Sequence, residues 1–313
     1  MENQLKVKIG KLSLKNSLTV ASGTFGYGEE FIDFIDLKKL GAIVTKTITL
    51  NPRPGNPMPR TCETPAGMLN SIGLENPGIE VFIKEKIPRF EKFAIPIIAS
   101  ISSEKNPDEF LELTRQLNKI HAVSAIELNI SCPNIKSPQK KTKTMGYRLI
   151  SQDPKATYEI VKAVRKITNK TLITKLSPNV TDITEIARAA ECAGSDAVAL
   201  VNTFYGMSID VFNKTPKIAA VTGGLSGPAI RPIALRMVWE VYKKIKIPII
   251  GMGGIVDTTS ALEFFIAGAS AISVGTANFI NPKITLEIIA GLTKYLNRNK
   301  VKNISEIRGA LKV

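Results

Sequence analysis

Eight short runs rich in β-branched residues, each followed by a longer segment of helical period, place this chain in the α/β class as a (β/α)8 TIM barrel. Polar residues and glycines gather just past the ends of those runs while their interiors stay apolar, and strand ends are where such barrels keep their chemistry. The rival architecture, a doubly wound open sheet, lacks its G-x-G-x-x-G fingerprint with a following acidic residue after the first strand.

An N-terminal β-hairpin is expected in LKVKIGKLSLKN. Strands are expected at Leu18–Ala21, Ala42–Thr45, Pro96–Ala99, Ala125–Asn129, Thr171–Leu176, Ala197–Val201, Ile249–Met252 and Ala271–Val274. Helical segments between them include NPDEFLELTRQLNKI, DPKATYEIVKAVRKI, TDITEIARAAECAG, PAIRPIALRMVWEVYKKI, DTTSALEFFIAG and NPKITLEIIAGLTKYL. In the third of these, Thr181 and Asp182 offer N-cap oxygens, Ile183, Ile186, Ala187 and Ala190 form one apolar face, and Gly194 suits the C-terminal stop. Long connections at 47–81, 133–152 and 204–227 are expected to cover the C-terminal rim, and residues 1–313 read as one domain.

Hydrophobic residues make up 44% and charged residues 22%, which supplies a sizeable core and excludes wholesale disorder. The opening MENQLKVKIGKLSLKN has no apolar h-region, and no run approaches the roughly 20 residues of a membrane span, so neither export nor membrane association is expected. Cys62, Cys132 and Cys192 are odd in number and far apart, without C-x-x-C. That argues against disulfides, zinc or an iron–sulfur cluster held by this chain, and it suits a reducing cytoplasm. His121 is the only histidine, so a histidine triad is excluded and no metal site is expected. The net charge is +15, yet the lysines are spread along the chain without interleaved aromatics, which reads as a solvated surface and not as a nucleic-acid face.

Just past the strands stand Ser22, Lys46, Ser100, Asn129 with Cys132, Lys175, Asn202 with Thr203, Gly253 with Gly254, and Gly275 with Thr276. The turns GMGGI and VGTAN follow the last two strands and each enters a helix, a pattern that suits a phosphate cradle because bare backbone and helix N-termini attract anions. Lys46 and Lys175 end apolar strands, IVTKTIT and LITKLSP, and a buried ammonium is costly unless it meets an anion or acceptor. Two inward lysines beside a phosphate cradle point to a phosphorylated, electron-rich cofactor, and flavin mononucleotide (FMN) fits. Asn70, Asn129, Asn134 and Asn202 offer donors and acceptors suited to a planar imide or uracil-like ring. Cys132, at a strand end on a long loop, reads as nucleophile or general base, whereas Cys192 on a helix and Cys62 in TCETPAG read as inert.

The motifs GTFGYG, KTIT, NSIGLENPG, ELNISCPN, KLSPN, NTFYGMSID, TGGLSGPAIRPIALRMV, IGMGGI and GTANF together resemble the class 1 dihydroorotate dehydrogenases, most of all the NAD-linked subtype, class 1B. The resemblance runs from about Leu5 to Leu296. It implies an FMN-containing barrel that oxidises dihydroorotate to orotate in pyrimidine biosynthesis. It implies that Cys132 takes the C5 proton while hydride leaves C6 for the flavin. It implies substrate contacts from Lys46, Asn70, Ser71, Ile72, Gly73, Leu74, Asn129, Asn134, Asn202 and Thr203. FMN contacts are implied for Ser22, Lys46, Thr47, Ser100, Asn129, Lys175, Val201, Gly227, Gly253, Gly254, Gly275 and Thr276, with Lys175 facing the N1 and O2 side of the ring.

Two departures stand out: Ser100 where the family often has Asn, and the insert SPQKKTKTMGYRLISQD after SCPNIK. The resemblance also implies a partner subunit carrying FAD and a [2Fe-2S] cluster that passes electrons to NAD, in a heterotetramer built on a homodimer. A stand-alone fumarate-linked homodimer is the alternative acceptor reading. A tRNA dihydrouridine synthase, also an FMN barrel, is disfavoured because no histidine stands on the rim and the chain stops soon after the eighth helix.

Overall fold

The computed structural model describes residues 4–103, 106–131 and 150–313 of the 313-residue chain. Eight parallel strands close into a barrel: β1 Leu18–Val20, β2 Ala42–Val44, β3 Ile97–Ile101, β4 Val123–Asn129, β5 Thr171–Lys175, β6 Ala197–Leu200, β7 Ile249–Gly251 and β8 Ala271–Val274. Their order around the barrel follows the sequence, and β8 closes on β1 through the pair Ile272↔Leu18. The expected (β/α)8 architecture is therefore present.

Side chains alternate along each strand, and the alternation separates two cores. Ala21, Ala42, Val44, Ile98, Ala125, Ile173, Ala199 and Ile250 pack inside the barrel with Ile9, Leu12 and Leu14. The last three belong to the antiparallel hairpin Val7–Ile9 and Leu12–Leu14, which closes the lower end. Leu18, Val20, Ile43, Leu128, Leu172 and Val198 point outward against the helices. Lys46, Ser100, Glu127, Asn129 and Lys175 continue the inward phase of Val44, Ile98, Ala125 and Ile173, so the interior turns from apolar to polar toward the C-terminal end.

The helix Ile183–Cys192 forms as its sequence dictates. Asp182 caps it by accepting from the Thr184 N–H at 2.7 Å, Ile183, Ile186, Ala187 and Ala190 are buried, and Gly194 takes a φ of 97°. Two connections depart from the expected strand–helix repeat. After β1 the chain makes only the 3-10 turns Glu29–Phe31 and Leu37–Lys39, because Gly23, Gly26 and Gly28 all adopt left-handed backbone. After β2 the helix is broken into Gly78–Val81, a π turn Phe82–Lys86 and Ile87–Phe93. Pro88 has no N–H to return to the preceding turn, and the π turn stands just before it.

The connections after β2 and β6, expected as loops, pair with each other. Phe204–Met207, Thr222–Ser226, Gly67–Asn70 and Thr61–Thr64 lie in that order in one antiparallel sheet on the C-terminal side of the barrel. Gly67 allows this close pairing, since a Cβ there would sit 1.9 Å from the Ser226 carbonyl oxygen. The third long connection falls mostly outside the described residues. Among the described residues no helix is long and apolar enough to cross a membrane.

Helix Thr258–Ala267 begins with a capping box in which Asp257 accepts from the Ser260 N–H at 2.7 Å. That backbone hydrogen bond, more than any charge, holds the Asp257 carboxyl below the ordinary carboxylate range. Asp257→Ala is expected to cost about 1 kcal/mol in chemical denaturation at neutral pH. A depressed folded-state value means the carboxylate's contribution is whole above the unfolded value, about 3.9, and is lost as pH falls through the folded one. The difference between the two proteins should therefore close in acid.

Candidate active site

A cleft of about 390 Å³ lies between the strand ends and the rim sheet. Of the residues singled out by sequence, Ser22, Lys46, Thr47, Asn70, Ile72, Gly73, Leu74, Asn129, Lys175, Val201, Asn202, Thr203, Gly227, Gly253, Gly254, Gly275 and Thr276 line it. Two do not. Ser71 is buried against the loop, where its hydroxyl accepts from Asn56 Nδ2 at 2.8 Å and its N–H donates to the Arg60 carbonyl at 2.7 Å. Ser100 is fully buried behind Thr47, 2.9 Å away, and is not a wall of the cleft. Cys132 and Asn134 lie outside the described residues.

Inward phase brings Lys175 to the floor of the cleft with only 4% of its surface exposed. Among the described residues no carboxylate and no hydrogen-bond acceptor meets its ammonium. A buried cation without a partner is costly, so the position suits an electron-rich or anionic group in the cleft. Asn129, at the end of β4, donates from Nδ2 to Thr47 Oγ1 at 2.9 Å and accepts at Oδ1 from the Ser131 hydroxyl at 3.2 Å. Asn202 donates from Nδ2 to Ser131 Oγ at 2.9 Å, and its Oδ1 accepts from the Thr203 N–H at 2.8 Å. These bonds tie the ends of β2, β4 and β6 into one polar floor.

The other end of the cleft is made of backbone. Gly253 and Gly254 follow β7, and Gly275 and Thr276 follow β8 and open the short helical turn Ala277–Ile280. Among the described residues, the N–H groups of these four make no hydrogen bond. Clustered N–H donors of this kind bind anions, phosphate above all. Thr276 is steadied from the rim sheet by donating to Ser226 Oγ at 2.8 Å. The donor set therefore fits a ligand with a phosphate at one end and a polar ring edge at the other. Among the described residues no group of three acidic, cysteine or histidine side chains could hold a metal.

Sequence reasoning missed Arg60 and Glu75, both in the cleft wall. Arg60 pairs with Glu75, and the Lys46 ammonium lies 4.0 Å from the same carboxylate. Burial holds the Lys46 ammonium below the ordinary lysine range, Arg60 adds to that, and Glu75 opposes it. Nothing local in the loop marks this pair, which forms only when the loop folds back on the rim. Met68, Ser226 and Phe279 are likewise wall residues that only the assembled rim brings in.

Gly254 has a φ of 75°, and a Cβ there would meet Arg231 Cβ at 2.7 Å and the Gly227 carbonyl oxygen at 2.9 Å. Gly254→Ala should therefore disturb this cluster of N–H donors and weaken a phosphate-bearing ligand at least tenfold, about 1.4 kcal/mol, in equilibrium dialysis. Unchanged affinity would separate this turn from phosphate binding.

The family model described as dihydroorotate dehydrogenase matches residues 4–296. The chain is 50% identical over 311 residues to a protein of Trichlorobacter lovleyi, with 99% of each chain covered. It is 51% identical over 309 residues to proteins of Bacteroides fragilis and of Caldicellulosiruptor bescii, again with 99% of each covered. All three relatives carry the name dihydroorotate dehydrogenase B (NAD(+)), catalytic subunit. With a closed barrel, a rim cleft of the expected residues and a match over almost its whole length, the chain belongs to the dihydroorotate dehydrogenase family.

Proposed function

We propose that this protein is the FMN-containing catalytic subunit of an NAD-linked dihydroorotate dehydrogenase, oxidising (S)-dihydroorotate to orotate in the synthesis of UMP. The observation that carries the FMN assignment is the buried Lys175, without a partner among the described residues, at one end of a cleft whose other end is backbone N–H unpaired among the same residues. FMN would be held at its phosphate by Gly253, Gly254, Gly275 and Thr276, and at its ring by Lys175, Asn129, Thr47 and Lys46. When bound, FMN supplies the two-electron acceptor that this oxidation requires.

The chain's own residues do the rest. Lys46 would contact both ring and substrate, its ammonium pairing with an anionic group. Asn70, Asn202 and Thr203 converge on the cleft from the rim sheet and from β6, and their amides and hydroxyl suit the carbonyls and N–H groups of a pyrimidine. Cys132 directly follows Ser131, which the Asn129 and Asn202 side chains hold. In this reading Cys132 is the base that removes the C5 proton. A thiol with an ordinary value near 8.5 already yields some thiolate at neutral pH, and a nearby cation raises that share.

The relatives' names, with NAD(+) and "catalytic subunit", favour NAD as final acceptor over fumarate and imply a second chain. We assign to that chain FAD and a [2Fe-2S] cluster, in a cytoplasmic heterotetramer built on a homodimer of this one.

Purified protein should be yellow, and its flavin absorbance should bleach on anaerobic mixing with dihydroorotate. Colourless protein, or yellow protein indifferent to dihydroorotate, contradicts the proposal. Cys132→Ser should keep the flavin and lose at least 100-fold in the rate of bleaching at pH 7, within the range of about 10²–10⁴ that general base catalysis supplies. Wild-type bleaching would remove Cys132 from its role. Lys175→Ala should release FMN about tenfold more readily, since a hydrogen bond to a charged group is worth roughly 1.5–3 kcal/mol. Unchanged retention would count against the ring contact.

A further inference from the structure

Beneath the cleft floor lies a carboxylate that the reaction does not use. Glu127, on β4, points into the barrel two residues before Asn129 and is 2% exposed. Its Oε1 accepts from the Ser100 hydroxyl at 2.8 Å. Ser100 Oγ lies 2.9 Å from Thr47 Oγ1, and Thr47 Oγ1 lies 2.9 Å from Ser22 Oγ and from Asn129 Nδ2. Each hydroxyl owns one proton and can donate either way, so the chain of hydroxyls taken alone has two directions. A carboxylate accepts only, and it ends the chain.

We propose that Glu127 is a positioning residue that acts through Ser100 to fix the direction of this hydrogen-bond chain and, with it, the orientation of the Asn129 amide. The protons then follow one route. Ser100 gives its proton to Glu127 and so must accept from Thr47. Thr47 gives its proton to Ser100 and so accepts from both Ser22 and Asn129 Nδ2. Thr47 Oγ1 is thereby saturated, and the Asn129 carbonyl is turned toward the Ser131 hydroxyl, 3.2 Å away. With the chain reversed, Thr47 can donate to Asn129, and the amide is free to turn over. The first arrangement fixes where the remaining Asn129 N–H and the carbonyl point, whereas turning the amide over exchanges the two positions. Ser100, which the cleft does not touch, thus acts on the cofactor site from behind Thr47.

The inference rests on the reading of the cleft as an FMN and pyrimidine site, and the test separates the two. If wild-type protein holds no FMN, that reading fails by itself. Given yellow wild type, FMN release on dilution is followed by flavin fluorescence, and orotate binding by the shift in flavin absorbance, for Glu127→Met, Ser100→Ala, the double variant and Glu127→Gln. Glu127→Met and Ser100→Ala should each weaken FMN or orotate by about fivefold, the effect of one hydrogen bond. The double variant should be no weaker than either single one, because both cut the same chain. Glu127→Gln, which can still present an acceptor oxygen, should recover affinity toward wild type.

Thermal midpoints of the same proteins separate positioning from stability. Additive losses in the double variant, or losses of affinity that simply follow the thermal midpoint with no recovery in Glu127→Gln, would overturn the proposal. So would wild-type affinities in Glu127→Met. If Glu127→Met does not fold, Ser100→Ala and Glu127→Gln decide the matter alone: wild-type affinity in the first, or equal loss in both, overturns it.

Discussion

A lysine ammonium held inside a barrel with no acceptor among the described residues is the constraint around which the upper half of this molecule is arranged. Lys175 is 4% exposed and ends a strand whose preceding inward residue, Ile173, is apolar. Burying an unpaired charge costs more than most single contacts return, so the position suits a ligand that supplies an acceptor. Everything nearby keeps that place available. The inward neighbours are small or polar, the strand ends are tied by Asn129, Ser131 and Asn202, and the rim sheet roofs the space.

The barrel manages this by dividing its interior. Toward the N-terminal end, alanines and branched residues pack with the hairpin side chains Ile9, Leu12 and Leu14 into a mostly apolar plug, where the Thr171 hydroxyl accepts from the Lys11 N–H at 3.0 Å. Toward the C-terminal end the same inward positions carry Ser100, Glu127, Asn129 and Lys46, each met by a side chain from a neighbouring strand or loop. The lower half supplies the stability that lets the upper half hold buried polar groups in fixed geometry. Long loops complete the division. The connections after β2 and β6 are hydrogen-bonded to each other, so Asn70, Arg60 and Thr203 are presented by a sheet.

Much of this was legible in the amino-acid sequence because period-2 and period-3.6 patterns report burial directly. The eight strands, the hairpin and the glycine turns after β7 and β8 follow from short-range residue preferences. The residues read just past the strands, Ser22, Lys46, Asn129, Lys175, Asn202, Thr203, Gly253, Gly254, Gly275 and Thr276, line one cleft because strand ends of a barrel share one rim, while Ile72, Gly73, Leu74, Val201 and Gly227 were named only through the family resemblance. What stayed hidden depends on long-range pairing. The rim sheet joins strands about 150 residues apart, and no local pattern distinguishes its glycine-rich pieces from loop. The Arg60–Glu75 pair needs that fold-back as well. Ser100 was assigned to the cofactor surface, yet it sits one layer below, because Thr47 and Asn129 close over it. Glu127 was legible by alternation from Ala125 and Asn129, but a carboxylate inside a barrel runs against the usual reading of a charged residue as exposed.

The most direct test of the central claim is a crystal structure of the purified protein with FMN and orotate. The account predicts the phosphate on the N–H groups of Gly253, Gly254, Gly275 and Thr276, and the Lys175 ammonium within hydrogen-bond distance of the flavin ring edge. A structure in which Lys175 instead pairs with a protein carboxylate, or in which the phosphate lies away from those turns, would contradict it.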